Sequence, residues 1–236
     1  MGLLSLGAGA AAGVVAAWSA PAVAPFVPWA AQELGIRTRL QRARGIALSF
    51  DDGPHREGTP AVLEQLDRLR ATATFFLVGE QVERSPSLAA EIAAGGHEIA
   101  LHGFLHRLLL ARSPRELDRD LDRATAVIED ATGRSPVCYR PPYGVFSGGA
   151  LKLVRRRGLE PVLWSRWGAD WRARATPSTI ARRATARLQP GDVVLLHDAD
   201  HYSSPGCWRR TVEALPAIVE SAIALGEPLV SVTQSI

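Results

Sequence analysis

The sequence predicts an α/β fold built around a parallel β-sheet of about seven strands. From Gly45 onward, short apolar runs typical of buried strands alternate with longer segments typical of helices. The chain has 236 residues, 47% of them hydrophobic, which is enough to bury the core of one domain. Polar residues follow nearly every strand-like run, and α/β enzymes keep their chemistry at strand ends.

The individual elements follow from this alternation. The predicted strands cover residues 46–50, 74–78, 98–101, 137–139, 160–164, 192–196 and 229–232. The predicted helices lie near residues 59–70, 87–94, 113–131, 149–157, 177–188 and 208–225. The third of these helices has a clear start, because Ser113 is a good cap, Pro114 suits the first helical position and Glu116 can complete a capping box. A parallel sheet of this kind can be open or closed into a barrel.

The N-terminal segment is apolar and differs from the rest of the chain. Residues 2–32 carry no charged side chain, and residues 3–18 are about as long as a signal-peptide core or a short membrane span. We expect an anchor or uncleaved signal over residues 1–36 and the main domain over residues 37–236. The arginines that follow, from Arg37 to Arg44, favour a cytoplasmic domain instead, and an apolar helix packed on the domain is a further alternative.

Charge and cysteine content exclude several classes of protein. The formal charge is +3 and the pI is about 9.3, almost entirely from arginine, with Lys152 as the single lysine. This excess is small and dispersed, and no aromatic residues interleave with it, so we expect no nucleic-acid partner. Cys138 and Cys207 are too few for a disulfide scaffold; two separate buried thiols are expected, with one bridge as the alternative.

Two adjacent carboxylates, Asp51 and Asp52, follow the first strand and precede Gly53-Pro54. A Gly-Pro turn interrupts the side-chain alternation of a strand and can bring both carboxylates into one pocket. Two confined carboxylates repel each other unless a cation separates their roles, which suggests one metal ligand and one general base. The competing interpretation is an ordinary turn, in which Asp52 caps the helix that begins near Thr59.

The third strand leads into His102 and His106. An i, i+4 pair on a helical turn would place both imidazoles on one face, where they can bind a metal. Histidines at this spacing also arise by chance. Together with Asp52 they form a two-histidine, one-carboxylate set that leaves coordination positions open for water and substrate.

Further strand ends carry polar groups. The segment from Tyr139 to Gly144 contains two prolines that fix its backbone and can hold Arg140 near a carboxylate, although a surface ion pair is the alternative. Asp170-Trp171 follows the fifth predicted strand. His197 ends a buried strand, where it can act as a general acid or serve as a core residue. The remaining histidines are interpreted as structural.

These five motifs, in this order, resemble the polysaccharide deacetylase homology domain, the carbohydrate esterase group that includes chitin, chitooligosaccharide and peptidoglycan deacetylases. The resemblance covers residues 45–236 and implies a distorted (β/α) barrel. It also implies a bound divalent metal, usually Zn²⁺ but in some members Co²⁺, Mn²⁺ or Ni²⁺. By resemblance, Asp52, His102 and His106 ligate this metal, Asp51 is the base that activates water, and Arg140 orients Asp51.

The resemblance assigns the other site residues in the same way. His197 would be the general acid, tuned by Asp170, and the backbone N–H of Tyr143 would help to hold the oxyanion. Trp171 and Leu195 would form the walls of a pocket for the acetyl methyl group.

The sequence departs from the family pattern at two positions. Gly103 replaces a common Ser or Thr after the first metal histidine, and Trp167 replaces an acidic residue three positions before Asp170. The first change can remove a hydrogen bond beside the metal, and the second can reshape the substrate groove. Neither change removes a predicted catalytic residue.

The expected function is therefore metal-dependent hydrolysis of N-acetyl groups on a sugar polymer or oligosaccharide, in a monomer. An O-acetyl esterase or small-amide hydrolase on the same fold is an alternative, and a non-catalytic wall-polysaccharide binder is another. The expected location is extracellular or anchored at the bacterial cell envelope through residues 2–32, with the cytoplasm as the alternative.

Overall fold

The computed structural model describes residues 18–233. Its centre is a curled, fully parallel sheet in the order β5-β4-β3-β2-β1-β7-β6, with β8 paired to the start of β1. The strands are Ile46–Asp51 (β1), Thr74–Leu77 (β2), Glu98–Leu101 (β3), Cys138–Tyr139 (β4), Glu160–Pro161 (β5), Arg166–Trp167 (β6), Val193–His197 (β7) and Leu229–Val230 (β8). This architecture confirms the predicted distorted (β/α) barrel.

Helices follow most strands and cover the outside of the sheet. They are Pro28–Glu33 (α1), Gly58–Arg68 (α2), Gly79–Arg84 (α3), Pro86–Ala94 (α4), Pro114–Thr132 (α5), Gly148–Arg156 (α6), Pro177–Thr185 (α7) and Cys207–Ala224 (α8). Short 3₁₀ turns lie at Ala20–Val23, Leu109–Ala111 and Pro142–Gly144. Helix α5 begins with the predicted capping box, since Ser113 and Glu116 each accept a backbone hydrogen bond from the other.

The alternation of side chains along the strands separates two apolar layers. Ile46, Leu48 and Phe50 of β1 pack outward among the helices, whereas Ala47 belongs to a smaller cluster on the inner face. Period-two alternation then turns Ser49 and Asp51 to the same inner face as Ala47. The sheet thus delivers polar groups to the inside of the curl at its C-terminal end.

The segment that precedes β1 links the two sides of the curled sheet. Arg37 forms a parallel bridge with Val162, and Arg39 forms an antiparallel bridge with Asp192 just before β7. The buried side chain of Ile36 packs into the core beside these bridges. The gap beyond β5 is therefore closed by non-strand backbone rather than by a further strand pair.

Part of the apolar N-terminal segment contacts the barrel. The indole N–H of Trp18 donates to the carbonyl of Leu110 at 3.1 Å, and Ala24 and Ala31 are buried. Residues 1–17 of the stretch predicted as an anchor or signal lie outside the described residues. Among residues 18–233, no helix is long and apolar enough to cross a membrane.

The structure differs from the sequence prediction at several elements. The strand predicted over residues 160–164 contains only Glu160–Pro161, and α1, β6 and α3 were not among the predicted elements. Strand β6 has only two residues, one of them polar, and α3 is a six-residue helix that begins one residue after β2 ends. Neither element is long enough to show a hydrophobic periodicity in the sequence. Cys138 and Cys207 are separate buried thiols, as predicted.

Candidate active site

A cavity of about 370 Å³ opens at the C-terminal ends of β1 and β7. Five of the predicted polar residues line it: Asp51, Asp52, His102, His106 and His197. Its walls also contain the predicted residues Tyr143, Trp171 and Leu195. Arg140 and Asp170 lie directly behind the cavity, hydrogen-bonded to Asp51 and His197 respectively. All ten predicted site residues are thus brought together.

Asp52, His102 and His106 form a group that fits a divalent metal ion. The Oδ1 atom of Asp52 lies 3.4 Å from Nε2 of His102 and 3.3 Å from Nε2 of His106. This oxygen is buried and has no hydrogen-bond partner among the described residues, which is unfavourable unless a cation satisfies it. The Nδ1 of His102 lies 2.8 Å from the carbonyl of Arg140, so Nδ1 carries the proton and Nε2 has a free lone pair.

The charge states of these groups also suit metal binding. Burial acts to raise the pKa of Asp52, but its interactions with the neighbouring imidazoles of His102, His197 and His106 outweigh burial and lower the pKa to about 2. Burial and the neighbouring His102 lower the pKa of His106 to about 4. At neutral pH the site therefore offers an ionised carboxylate and a neutral imidazole, the forms that bind metals.

The backbone explains how two adjacent aspartates reach one cavity. Asp51 is the last residue of β1 and faces inward, whereas Asp52 has a φ of 79°, in the left-handed region. Because a non-glycine residue rarely adopts this conformation, it commonly marks a functional site. The predicted interruption of strand alternation is present, and helix α2 has no side-chain cap, so Asp52 is not its cap.

The prediction that His102 and His106 lie on a helical turn is wrong. Residues 102–106 form an irregular loop in which Gly103 has a φ of 87°. Asp120 of α5 holds this loop, since its carboxylate accepts the N–H groups of Phe104 at 2.7 Å and Leu105 at 3.4 Å. The two imidazoles converge because of this loop geometry and not because of helical periodicity.

Asp51 is paired with a fully buried arginine. The Arg140 guanidinium donates to Oδ1 of Asp51 at 2.6 Å, to the hydroxyl of Ser49 at 2.9 Å and to the carbonyl of Leu163 at 2.9 Å. The ring of Phe76 lies 3.9 Å from the guanidinium carbon. These contacts fix the orientation of Asp51 and compensate for the burial of its charge.

His197 is held by a second buried carboxylate. Asp170 accepts from Nδ1 of His197 at 2.9 Å and from its backbone N–H at 2.7 Å, while Thr211 donates to Asp170 at 2.8 Å. Burial alone would lower the pKa of His197, but the charge and hydrogen bond of Asp170 outweigh it and raise the pKa to about 10. The protonated Nε2 faces the cavity, 4.0 Å from Oδ2 of Asp52.

Aromatic side chains surround the histidines. The ring of Tyr143 meets His106 edge-on with centroids 4.6 Å apart, and Tyr143 has a left-handed φ of 60°. Tyr202 stacks on His106 with ring centroids 4.1 Å apart, and its hydroxyl donates to Glu80 at 2.8 Å. Trp171 packs edge-on against His197.

Residues 18–233 contain a second group with metal-ligand chemistry, formed by His55, Asp200 and His201. The Nδ1 of His55 accepts the backbone N–H of Gly58 at 2.9 Å, so its Nε2 carries the proton and points at Asp200, 3.2 Å away. This tautomer leaves no lone pair on Nε2 for a cation. The group is therefore a structural His–Asp contact, in agreement with the interpretation of these histidines from sequence.

Several residues of the site carry no signal in the sequence. Thr211 and Asp120 support predicted residues from distant chain positions, and nothing in their local sequence indicates this. Trp164 and Tyr202 also line the cavity. Trp164 was predicted at the end of a strand but lies beyond β5, and Tyr202 lies in a loop whose conformation cannot be predicted from residue propensities. Only the alternation within β1 could have placed Ser49 on the face of Asp51.

Comparison with known proteins agrees with this geometry. The family model described as polysaccharide deacetylase matches residues 39–162, which is 124 of the 236 residues. The chain belongs to the polysaccharide deacetylase family. The match includes the carboxylate pair, both loop histidines and the segment around Arg140.

Similar proteins cover most of the chain. A peptidoglycan-N-acetylglucosamine deacetylase of Bacillus cereus is 34% identical over 191 residues, covering 80% of this chain and 86% of its own. A chitooligosaccharide deacetylase of Azorhizobium caulinodans is 34% identical over 201 residues, covering 82% and 95% respectively. The crystal structure of a peptidoglycan N-acetylglucosamine deacetylase in complex with 4-naphthalen-1-yl-N-oxidanyl-benzamide superposes with a TM-score of 0.79 at 28% identity, covering 89% of this chain and 99% of that one.

Proposed function

We propose that the protein is a metal-dependent hydrolase that removes N-acetyl groups from an N-acetylated sugar polymer or oligosaccharide and releases acetate. The observation that carries this proposal is the placement of three metal-ligand side chains in one cavity with a carboxylate base and a protonated imidazole. A binding protein needs neither of the last two groups. The relatives named above act on peptidoglycan N-acetylglucosamine and chitooligosaccharides, which supports the substrate class.

Asp52, His102 and His106 would hold the metal, with Zn²⁺ expected and Co²⁺, Mn²⁺ or Ni²⁺ as alternatives. A bound divalent ion lowers the pKa of water toward about 7 and polarises a carbonyl group. The unpartnered Oδ1 of Asp52 and the Nε2 lone pair of His102 support this assignment. All three side chains line the cavity, so they would hold an ion where a bound substrate acetamide could reach it.

Asp51 would accept a proton from the attacking water while Arg140 holds its carboxylate in place. Addition of water to the acetamide carbonyl carbon gives a tetrahedral oxyanion, which the backbone N–H of Tyr143 would help to stabilise. His197 would then protonate the amine nitrogen as the C–N bond breaks, leaving acetate and a free amino sugar. Asp170 keeps His197 charged for this step.

Trp171 and Leu195 would enclose the acetyl methyl group. Both line the cavity, and Trp171 packs edge-on against His197, the proposed acid. If these two side chains close around the methyl group, acetyl is favoured over longer acyl groups, since one additional methylene in a filled pocket costs about 1–3 kcal/mol.

Acetate release from a substrate panel tests the proposal. Purified protein with Zn²⁺ is incubated with chitotetraose, peptidoglycan and acetylxylan, and acetate is measured. We expect release from chitotetraose or peptidoglycan. Release from acetylxylan alone would indicate an O-acetyl esterase, and release from none of the three would contradict the proposed activity and favour a small-amide substrate or a binding role.

We also propose a location at the cell envelope, in accordance with a wall-polymer substrate and the apolar stretch over residues 2–32. Fractionation of cells that express the full chain should find the protein in the membrane or the medium. Recovery in the cytoplasm alone would contradict this location.

A further inference from the structure

Exposed aromatic side chains concentrate at the mouth of the cavity. Among residues 18–233, four aromatic side chains are strongly exposed: Phe26, Trp29, Tyr143 and Trp167. Three of them, all except Trp29, line the cavity. Exposed apolar groups grouped at the rim of a groove commonly mark a ligand site.

Phe26 comes from the N-terminal segment, which lies before the region that the family model matches. Its neighbour Pro25 packs beside Gly144 and Trp164: a Cβ on Gly144 would lie 3.4 Å from Cγ of Pro25 and 2.5 Å from the indole of Trp164. Because Gly144 has no side chain, the segment and the indole can both approach it. The Phe26 ring, which is 80% exposed, lines the same cavity as Tyr143.

Trp167 reaches the same cavity from another part of the sheet. It belongs to β6 and pairs in register with Leu195 of β7, whose side chain also lines the cavity. The family pattern often has an acidic residue at this position, so the indole replaces a charge with an apolar face. The rim thus carries aromatic surfaces from two separate elements.

We propose that Phe26 and Trp167 form a subsite for a second pyranose ring of an N-acetylglucosamine oligomer. This ring would be the neighbour of the one that carries the acetamide to be hydrolysed. This inference rests on the proposed function. The electron-rich face of an aromatic ring attracts the weakly positive C–H groups on the face of a pyranose. Beyond the catalytic groups, Arg172 is the one charged residue among those that line the cavity, which suits a neutral sugar chain.

Kinetics on substrates of two lengths test the subsite. We compare Phe26→Ala and Trp167→Ala with Trp29→Ala, a matched control because Trp29 lies on the same segment, is 71% exposed and does not line the cavity. Loss of an aromatic contact should raise KM for chitotetraose about 2- to 10-fold with little change in kcat. The rise in KM should be smaller for N-acetylglucosamine than for chitotetraose. Phe26→Tyr, which keeps an aromatic ring, should have a KM close to that of the wild type. Equal KM values in Phe26→Ala, Trp167→Ala and Trp29→Ala would overturn the subsite.

Direct binding separates this proposal from the proposed function. Calorimetry with chitotetraose on Asp51→Asn protein, with and without Phe26→Ala, needs no turnover. Weaker binding in the Phe26 variant supports the subsite even if no acetate is ever released. Absence of chitotetraose binding, or binding that does not depend on Phe26, contradicts it.

Discussion

Asp51 and Asp52 are adjacent in the chain but have different neighbours. Asp51 accepts a hydrogen bond from the buried Arg140 at 2.6 Å, whereas Asp52 faces two imidazole Nε2 atoms with an unpartnered oxygen. One carboxylate is therefore oriented by a fixed cation of the protein, and the other has an oxygen that a metal could bind. This difference supports the proposed division into a base and a metal ligand.

Replacement of Asp51 by Asn tests this division. The amide oxygen can still accept from Arg140, so the fold is retained, but the side chain can no longer take a proton from water. We expect turnover to fall about 10²- to 10⁴-fold with unchanged metal content. Acetate release and metal analysis check this, with the exposed Asp67→Asn as the control. Turnover close to that of the wild type would remove Asp51 from its role.

Asp198 predicts a specific pH dependence of stability. It is fully buried, accepts from the Thr59 hydroxyl, and has a second oxygen without a partner among the described residues. Burial raises its pKa to about 7, from an ordinary value of 3.8. The folded state binds this proton more tightly than the unfolded state does. The resulting contribution to the free energy of unfolding, up to about 4 kcal/mol, is fully present below pH 4 and is lost as the pH rises through 7.

The Asp198→Asn variant mimics the protonated acid. It should therefore be more stable than the wild type at pH 8, with a smaller advantage at pH 4.5. Urea unfolding of metal-free protein at both pH values measures the difference. A difference that does not vary with pH would show that Asp198 titrates normally.

At the scale of elements, the loop of residues 102–106 depends on a helix that contributes nothing to the cavity lining. Asp120 of α5 accepts two N–H groups of this loop and so sets the positions of both histidines. The sequence predicted the histidine pair but placed it on a helical turn. The supporting contact comes from 15 residues further along the chain, which local patterns cannot reveal.

Loss of Asp120 should therefore weaken metal binding. In Asp120→Ala the loop loses both hydrogen bonds, and we expect the metal Kd to rise about 10- to 100-fold. Asp130→Ala, an exposed position on the same helix, is the control and should leave the Kd unchanged. Competition with a chromogenic chelator measures the Kd. Equal affinity in the two variants would contradict the role of Asp120.

Elements with a clear hydrophobic pattern in the sequence were predictable, and short elements were not. Strands β1 and β7 are buried along their whole length and the capping box of α5 is complete, so the sequence places them well. The left-handed backbone conformation at Asp52 and Tyr143 depends on tertiary contacts and cannot be predicted from residue propensities. The site was predictable mainly because its side chains follow strand ends.

At the scale of the whole molecule, the sequence divides the chain at residue 36, whereas buried contacts continue across that point. Ala24, Ala31 and Ile36 belong to the main core, and Arg37 and Arg39 bridge the sheet. A change of composition marks the boundary in the sequence, but composition does not show that the N-terminal segment packs on the core of the main domain. Residues 18–36 thus contribute to both the core and the rim of the cavity.

A chain that begins at Arg37 should be less stable than one that begins at Trp18. Removal of residues 18–36 exposes core surface that Ala24, Ala31 and Ile36 cover. We expect a Tm lower by at least about 2 °C, since 1 kcal/mol shifts a protein of this size by about 2–4 °C. Thermal unfolding of the two forms measures this. Identical Tm values would indicate that the segment is not part of the fold.

The dependence of acetate release on bound metal tests the central claim most directly. Metal-stripped protein is titrated with Zn²⁺ while bound metal and acetate released from chitotetraose or peptidoglycan are measured together, in the wild type and in His102→Ala. We predict that acetate release rises in proportion to bound metal, saturates at one ion per chain, and is absent in His102→Ala, which should not retain the ion. Acetate release from metal-free protein, or full metal binding by His102→Ala, would contradict the account.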